Sequence, residues 1–137
     1  MTHPADLAAM NNPVIRSVIP TLRVASIDRA LPSYESLGFS VSWQHQLSPE
    51  APRLTSVVHG AAELFLTEHP IAPYGAVVHF VVDGLQELVA RARSNGIEPT
   101  SGPEDRPWGD REAYFTDIDG NVLRFAEPIT RIVHANQ

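Results

Sequence analysis

An internal repeat restricts the fold of this 137-residue chain more than any other feature of its sequence. When the sequence is shifted by 58 positions, apolar residues and glycines of the first half fall on comparable residues of the second half without a gap. The aligned residues are Leu22, Val24, Ser26, Ile27, Ala30, Leu31, Gly38 and Phe39 in the first half, and Phe80, Val82, Gly84, Leu85, Leu88, Val89, Gly96 and Ile97 in the second. At a shift of 59, residues 64–68 match residues 123–127. Each copy therefore predicts a strand, a helix that ends at a glycine, a further strand and a closing strand.

The two predicted helices carry recognisable start and stop signals. Ser26 can cap a helix over residues 27–37, and Gly38 can supply the left-handed exit that glycine adopts easily. A second helix over residues 85–94 also ends shortly before a glycine. Pro32 falls inside the first helix and lacks a backbone N–H, so we expect this helix to start late or to bend there.

Alternation along the predicted strands sorts their side chains onto two faces. One face is almost purely apolar and should carry the helices: Leu22, Val24, Leu64, Leu66, Val78, Phe80, Val82, Leu123 and Phe125. The opposite face mixes polar and apolar residues: Ile19, Thr21, Arg23, Glu63, Phe65, Thr67, Val77, His79, Val81, Arg124 and Ala126. Such a face suits the wall of a small-molecule pocket, because apolar area supplies affinity and a few polar groups orient the ligand. The alternative is a solvated sheet face, where Phe65, Val77 and Val81 would be awkward.

Composition restricts the partners and the chemistry of the chain. No cysteine is present, which excludes disulfides, thiolate catalysis and thiolate metal sites. The formal charge of −6 is the wrong sign for holding nucleic acid; it favours cationic small molecules or simply keeps the protein in solution. No apolar stretch approaches the roughly 18 residues of a membrane span, and no secretion signal is evident. We therefore expect a cytoplasmic protein without nucleic-acid or membrane partners.

The length of the chain favours a single domain. With 43% hydrophobic residues, the chain can form one sizeable core but is too short for two ordinary domains. We predict an N-terminal arm over residues 1–13, one α+β domain over residues 14–128, and a C-terminal tail over residues 129–137. Within the domain, unit one covers about residues 14–70 and unit two about residues 74–128.

Two stretches carry a resemblance to a known family. One runs from Pro107 to Asp117, PWGDREAYFTD, and continues through Asp119-Gly120-Asn121 to Phe125, Glu127 and Pro128. The other consists of Val24, Asp28-Arg29-Ala30, Tyr34, Glu35 and Leu37-Gly38-Phe39. They resemble the closing and opening stretches of bleomycin-resistance-like members of the vicinal-oxygen-chelate superfamily of glyoxalases, bleomycin resistance proteins and dioxygenases. The resemblance covers roughly residues 14–128 and implies two tandem βαβββ units whose mixed sheets curl around a ligand cleft, in a homodimer.

The same resemblance bears on metal binding. Enzymes of this superfamily hold a divalent metal through four inward positions, which carry over to Ile19, Phe65, Val77 and Arg124. Three hydrocarbons and a guanidinium offer no unprotonated nitrogen, oxygen or sulfur donor. The resemblance therefore implies no metal and no cofactor at the usual place.

Three classes of function are consistent with these residues, and the first is favoured. It is a metal-independent binding protein that sequesters a small planar or cationic organic molecule without converting it, as bleomycin-resistance proteins do in antibiotic resistance. The alternative is a metal-dependent glyoxalase- or dioxygenase-type enzyme with non-standard ligands such as His79 and Glu63. A protein that only binds other proteins, with a vestigial cleft, is a third possibility. No catalytic residue is assigned.

Five residues are predicted to contact the ligand. Trp108, in a loop at the cleft mouth, can stack on a planar ring, or it packs against its own domain. His79 can exchange hydrogen bonds with a ligand, or it is structural. Arg124 can form a buried ion pair with Glu63, or it binds a ligand carboxylate or phosphate. Phe65 is expected to form part of the wall.

Two further predictions concern structure. Trp43 continues the alternation of Phe39 and Val41, which favours packing in the core or in a dimer over contact with a ligand. Asp117 and Asp119 flank a glycine turn and are explained by turn chemistry.

Overall fold

The computed structural model of the protein describes residues 12–129. The elements are β1 (Thr21–Arg23), α1 (Ile27–Ser36), β2 (Ser40–His45), β3 (Leu54–His59), β4 (Ala62–Thr67), β5 (Val77–Val81), α2 (Leu85–Ser94), β6 (Ser101–Asp105), β7 (Asp110–Thr116) and β8 (Val122–Pro128). Most of the predicted arm and tail, residues 1–11 and 130–137, lies outside the described residues. Within residues 12–129, no helix is both long and apolar enough to cross a bilayer.

The strands form two four-stranded mixed sheets with the same topology. Their orders are β1-β4-β3-β2 and β5-β8-β7-β6. In each sheet the first strand runs parallel to the last strand of its unit, and the remaining pairs are antiparallel. The α+β fold of two tandem βαβββ units, predicted from the repeat, is confirmed.

The core lies between the helices and one face of each sheet. The strand residues predicted for this face are buried or partly buried, and they pack in one cluster with apolar residues of both helices. The helix residues in the cluster include Ile27, Ala30, Tyr34, Leu85, Val89 and Ala92. Their three- and four-residue spacing places them on one side of each helix, so burying this side removes apolar surface from water and fixes the helix on its sheet.

The repeat extends to the way in which each helix is capped. The backbone N–H of Ile27 donates to Glu68 Oε2 at 2.8 Å. The carboxylate of Glu68, the residue after β4, therefore lies at the N-terminus of α1. The backbone N–H groups of Gly84 and Leu85 donate to the two carboxylate oxygens of Glu127 at 2.7 and 3.3 Å. A carboxylate is stabilising at the positive N-terminal end of a helix. Glu68 and Glu127 are aligned by the 59-residue shift, so the two units share this helix-capping interaction as well as their pattern of apolar residues.

Helix α1 begins immediately after its predicted cap. The backbone N–H of Arg29 donates to Ser26 Oγ at 3.3 Å, and Pro32 lies inside the helix. The late start expected from Pro32 is therefore wrong. Side-chain caps at the N-terminus secure the first turn, and the proline removes one backbone donor from the turn that follows. Gly38 exits the helix at a φ of 96°, as predicted.

The turn before β8 connects the two units. Tyr34 Oη donates to Asp117 Oδ2 at 2.7 Å; burial, and then the Asp117 charge, raise the pKa of Tyr34, so the hydroxyl stays protonated. Asn121 is fully buried; its Nδ2 donates to the carbonyl of Arg23 at 2.9 Å, and its Oδ1 accepts from the backbone N–H of Ala76 at 3.0 Å. The backbone N–H of Asn121 donates to Asp117 Oδ1, so the predicted turn chemistry is present and also joins unit one to unit two.

Candidate functional site

Each sheet has a second face that points away from the helices. We call these the first-unit face and the second-unit face. The first-unit face consists of Thr21, Arg23, Trp43, His45, Leu54, Ser56, Val58, Glu63, Phe65 and Thr67. The second-unit face consists of Val77, His79, Val81, Ser101, Glu104, Glu112, Tyr114, Thr116, Val122, Arg124 and Ala126, and the turn with Arg106 and Trp108 adjoins it. Val77 and Val81 are 61% and 72% exposed, an unusual state for apolar strand residues.

The second-unit face is organised around the buried carboxylate of Glu112, which was not among the site residues predicted from the sequence. The side chain of Glu112 is only 1% exposed. Its Oε2 accepts a hydrogen bond from Trp108 Nε1 at 2.8 Å. Its Oε1 accepts from Tyr114 Oη at 2.9 Å and from Arg124 Nη2 at 3.4 Å, and Arg106 Nε lies 3.9 Å away. A buried charge is tolerated only when it is paired in this way.

These contacts determine the protonation state of Glu112. Burial by itself raises the pKa of the carboxyl group, but the hydrogen bonds from Trp108, Tyr114 and Arg124 and the positive charge of Arg124 outweigh it. The net result is a pKa below the ordinary value for glutamate. Glu112 is therefore ionised at neutral pH and holds three side chains of the second-unit face in place.

Two guanidinium groups lie over the ring of Tyr114. The guanidinium carbon of Arg124 is 4.9 Å from the ring centroid, and that of Arg106 is 5.4 Å away, within the range of cation–π attraction. Arg106 also pairs with Glu104 at 3.2 Å. Among the described residues, the buried Nε atoms of both arginines have no hydrogen-bond partner. The side chain of Arg124 remains 33% exposed, so donors at its Nη atoms can meet a ligand.

Trp108 lies in the turn between β6 and β7, directly before a strand as predicted. The residue is 58% exposed, although its indole N–H is engaged by Glu112. A hydrogen bond from the ring edge limits rotation of the indole, and an indole offers a large planar area on which a ligand ring can stack.

The structure separates Glu63 from Arg124. Glu63 Oε2 accepts a hydrogen bond from Ser56 Oγ at 2.6 Å, within the first sheet. Arg124 pairs with Glu112, within the second sheet. No ion pair between Glu63 and Arg124 is present within residues 12–129, because each carboxylate and guanidinium has a nearer partner on its own sheet.

His79 and Phe65 lie on different faces. His79 is exposed on β5, directly opposite Arg124 on β8. It also borders a cavity of about 510 Å³ at the junction of the units, whose lining includes Phe39 and Phe80. Phe65 is half-buried on the first-unit face, and its place in the wall of a ligand pocket stays a prediction.

Trp43 is not a core residue, so of the two kinds of packing predicted for it the core is wrong, and packing in a dimer stays a prediction. A β-bulge between Val41 and Trp43 shifts the register of β2, so that Trp43 pairs with Ser56 and joins the first-unit face. Its ring packs edge-on against Phe65 at a centroid distance of 5.2 Å, and the residue is 40% exposed. Nothing in the sequence marks this bulge, whereas Glu112 and Tyr114 could have been found from the alternation with buried Ala113.

The residues carried over to the family's metal positions do not fit a divalent cation. Ile19, Phe65 and Val77 are hydrocarbons, and Arg124 donates to Glu112. Within the described part of the chain, no group of three or more His, Cys, Asp or Glu side chains is placed to hold a metal ion. The pairing of His79 with Arg124 adds a single imidazole, which is fewer donors than protein metal sites use.

Comparison with known proteins identifies the family. Residues 16–125 match the model of the Glyoxalase/Bleomycin resistance protein/Dioxygenase superfamily, and the chain belongs to this superfamily. A search of curated proteins gave no match.

Solved structures with similar folds include three binding or resistance proteins. A bleomycin-binding protein complexed with bleomycin is 25% identical, has a TM-score of 0.65, and the match covers 82% of this chain and 98% of that chain. A bleomycin resistance determinant encoded on the transposon Tn5 is 26% identical, with a TM-score of 0.66 and coverage of 83% and 98%. TnmS3, an antibiotic binding protein from Streptomyces sp. CB03234, is 26% identical, with a TM-score of 0.62 and coverage of 85% and 99%.

Proposed function

We propose that this protein captures a small planar organic molecule without a metal ion and without converting it. The observation that carries the proposal is the exposed indole of Trp108, which the buried Glu112 holds by its N–H. An aromatic side chain fixed before the ligand arrives loses little conformational entropy on binding. The similarity to bleomycin- and antibiotic-binding proteins supports the same function, and antibiotic resistance is one physiological role that it suggests.

Metal independence is supported by the donor chemistry of the candidate site. The carboxylate groups on the two faces already have partners: Glu112 has three side chains, Glu63 has Ser56, and Glu104 has Arg106. The guanidinium of Arg124 occupies a position where related enzymes place a ligand to a cation, and its charge would repel one.

Exposed apolar residues support a homodimer that completes the cleft. Val77 and Val81 on the second-unit face are largely exposed, and so are Val14, Ile15 and Val18 before β1. Exposed apolar surface that forms a large patch is typical of a surface that a partner or ligand covers. We infer that a second copy of the chain covers them and that the protein works in the cytoplasm. Analytical ultracentrifugation tests the dimer, and cell fractionation tests the location.

Binding is tested by thermal denaturation of the purified protein with bleomycin and with other planar heteroaromatic compounds. A ligand that binds the native state raises the melting temperature in a concentration-dependent way. We expect Trp108→Ala to reduce this shift and Trp43→Ala to serve as the comparison on the other face. Identical shifts in the wild type and in Trp108→Ala would remove the stacking role.

Metal analysis decides between capture and the enzyme alternative. Protein purified without chelator is analysed for bound metals and titrated with Zn²⁺, Ni²⁺ and Fe²⁺. We expect no stoichiometric site. One tightly bound ion per chain would instead favour a metal-dependent enzyme of the same superfamily.

A further inference from the structure

On the second-unit face, the guanidinium of Arg124 reaches solvent, whereas the carboxylate of Glu112, with which it pairs, is buried. The side chain of Glu112 is 1% exposed, whereas that of Arg124 is 33% exposed. Within the described part of the chain, Arg124 makes one hydrogen bond, from Nη2 to Glu112. A guanidinium carries five N–H donors, so most of those of Arg124 are unused. A molecule that approaches Arg124 therefore meets its guanidinium and not the buried carboxylate of Glu112, while the exposed carboxylate of Glu104 is paired with Arg106.

The aromatic and cationic groups of this face are close together. Trp108 Nε1 and Arg124 Nη2 bind the two oxygens of one carboxylate, at 2.8 and 3.4 Å. The two nitrogens are therefore no more than about 9 Å apart, given the size of a carboxylate group and these bond lengths. That distance corresponds to a single aromatic ring system with one polar substituent.

We propose that the ligand is a planar aromatic molecule that carries an acidic oxygen group, an inference that rests on the proposed function. Its ring stacks on the indole of Trp108, and its acidic group accepts hydrogen bonds from Arg124. Arg124 lies between Tyr114 and His79 in one cross-strand row, so the ring of Tyr114 supports the guanidinium and the imidazole of His79 adds a donor beside it.

The local charges outweigh the charge of the whole molecule. The net charge of −6 would attract a cation at long range, but charges farther than about 10 Å are screened at moderate salt. At contact distance, a planar guanidinium with free donors binds an oxyanion by charge-assisted hydrogen bonds, which are the stronger class.

The proposal is tested by isothermal titration calorimetry with three probes of the same shape. They are 2-naphthoate, the neutral 2-naphthamide and the cationic 2-naphthylmethylamine. We expect 2-naphthoate to bind the full-length protein at least about ten-fold more tightly than 2-naphthamide, because one charge-assisted contact distinguishes them. This comparison uses the wild type and does not depend on the folding of a variant.

Variants then assign the preference to one side chain. Arg124→Gln should abolish the preference, so that 2-naphthoate and 2-naphthamide bind this variant with affinities within about two-fold of each other. Arg124→Lys, which keeps the charge without the planar fork, should retain part of it. Arg111→Gln is the matched control: it removes the same charge from β7, but from the opposite side of the sheet, where Arg111 pairs with Asp105.

The possible results separate this proposal from the function on which it rests. Equal binding of 2-naphthoate and 2-naphthamide would overturn the acidic ligand class and leave planar capture intact. Tightest binding of the cationic probe would also overturn it. Failure of all three probes to bind at concentrations up to about 1 mM would contradict planar capture itself.

Discussion

Single residues of the second-unit face connect stability with binding. Glu112→Gln keeps the shape of the side chain but removes the charge that Arg124 and Arg106 face. We expect the free energy of unfolding at pH 7 to fall by about 1–3 kcal/mol, because buried charge-assisted hydrogen bonds are weakened. Urea denaturation measures this change, and Glu35→Gln on the exposed side of α1 is the control. A change no larger than that of the control would contradict the role of Glu112.

The contribution of Glu112 to the free energy of unfolding should depend on pH. The pKa of Glu112 is lower in the folded protein than the ordinary value, so its ionised form contributes stability above a pH of about 4.3. This contribution is lost as the pH falls through the lower folded-state pKa. The difference in unfolding free energy between the wild type and Glu112→Gln should therefore shrink in acid. A difference that grows in acid would mean that the folded state favours the protonated form.

Two glycines with similar backbone angles should respond differently to alanine. Gly102 and Gly96 have φ values of 78° and 81°, so both substitutions strain the backbone by about 1–2 kcal/mol. A Cβ at Gly102 would also collide with the carbonyl oxygen of Glu112, whereas a Cβ at Gly96 meets open space. We expect Gly102→Ala to destabilise the protein by at least about 2 kcal/mol more than Gly96→Ala, measured by denaturation. Equal losses would show that the strand shifts to admit the methyl group.

At the scale of elements, each helix depends on a carboxylate supplied by another part of its own unit. We expect Glu68→Gln and Glu127→Gln each to lower the free energy of unfolding by about 0.5–2 kcal/mol, as loss of a helix cap does. The loss should be larger for Glu68, because this residue also pairs with Arg53 at 3.3 Å and accepts a hydrogen bond from the backbone N–H of Arg53. Denaturation of both variants checks the size and the order of the two effects.

The elements were largely predictable, and the exceptions have physical reasons. The repeat, the glycine exits and the alternation of apolar residues indicate both helices and the buried sheet face, because these patterns follow from local geometry. The position of Trp43 depends on a bulge, and the partner of Arg124 depends on which strands share a sheet. Neither property is encoded in the spacing of neighbouring residues. Trp108 was found because its motif is local, whereas Glu112 resembled an ordinary surface acid within a strand.

At the scale of the whole molecule, one buried amide joins the two units. Asn121→Ala would leave the backbone N–H of Ala76 and the carbonyl of Arg23 without their partners. We expect a loss of about 2–4 kcal/mol, compared with less than about 0.5 kcal/mol for the exposed Asn95→Ala. Denaturation followed by circular dichroism and by tryptophan fluorescence should give coincident transitions in the wild type. Coincident transitions and unchanged stability in Asn121→Ala would show that the amide of Asn121 is not needed to couple the units, which the apolar core and the Tyr34–Asp117 hydrogen bond would then join.

The chain has two tryptophans, and each of the two sheet faces carries one of them. Tryptophan fluorescence can therefore report on each face separately. In Trp43→Phe the remaining emission comes from the indole beside Glu112, and in Trp108→Phe it comes from the indole beside Phe65. Quenching in one variant and not in the other would reveal which wall of the molecule a compound touches, before any crystal of the complex is grown.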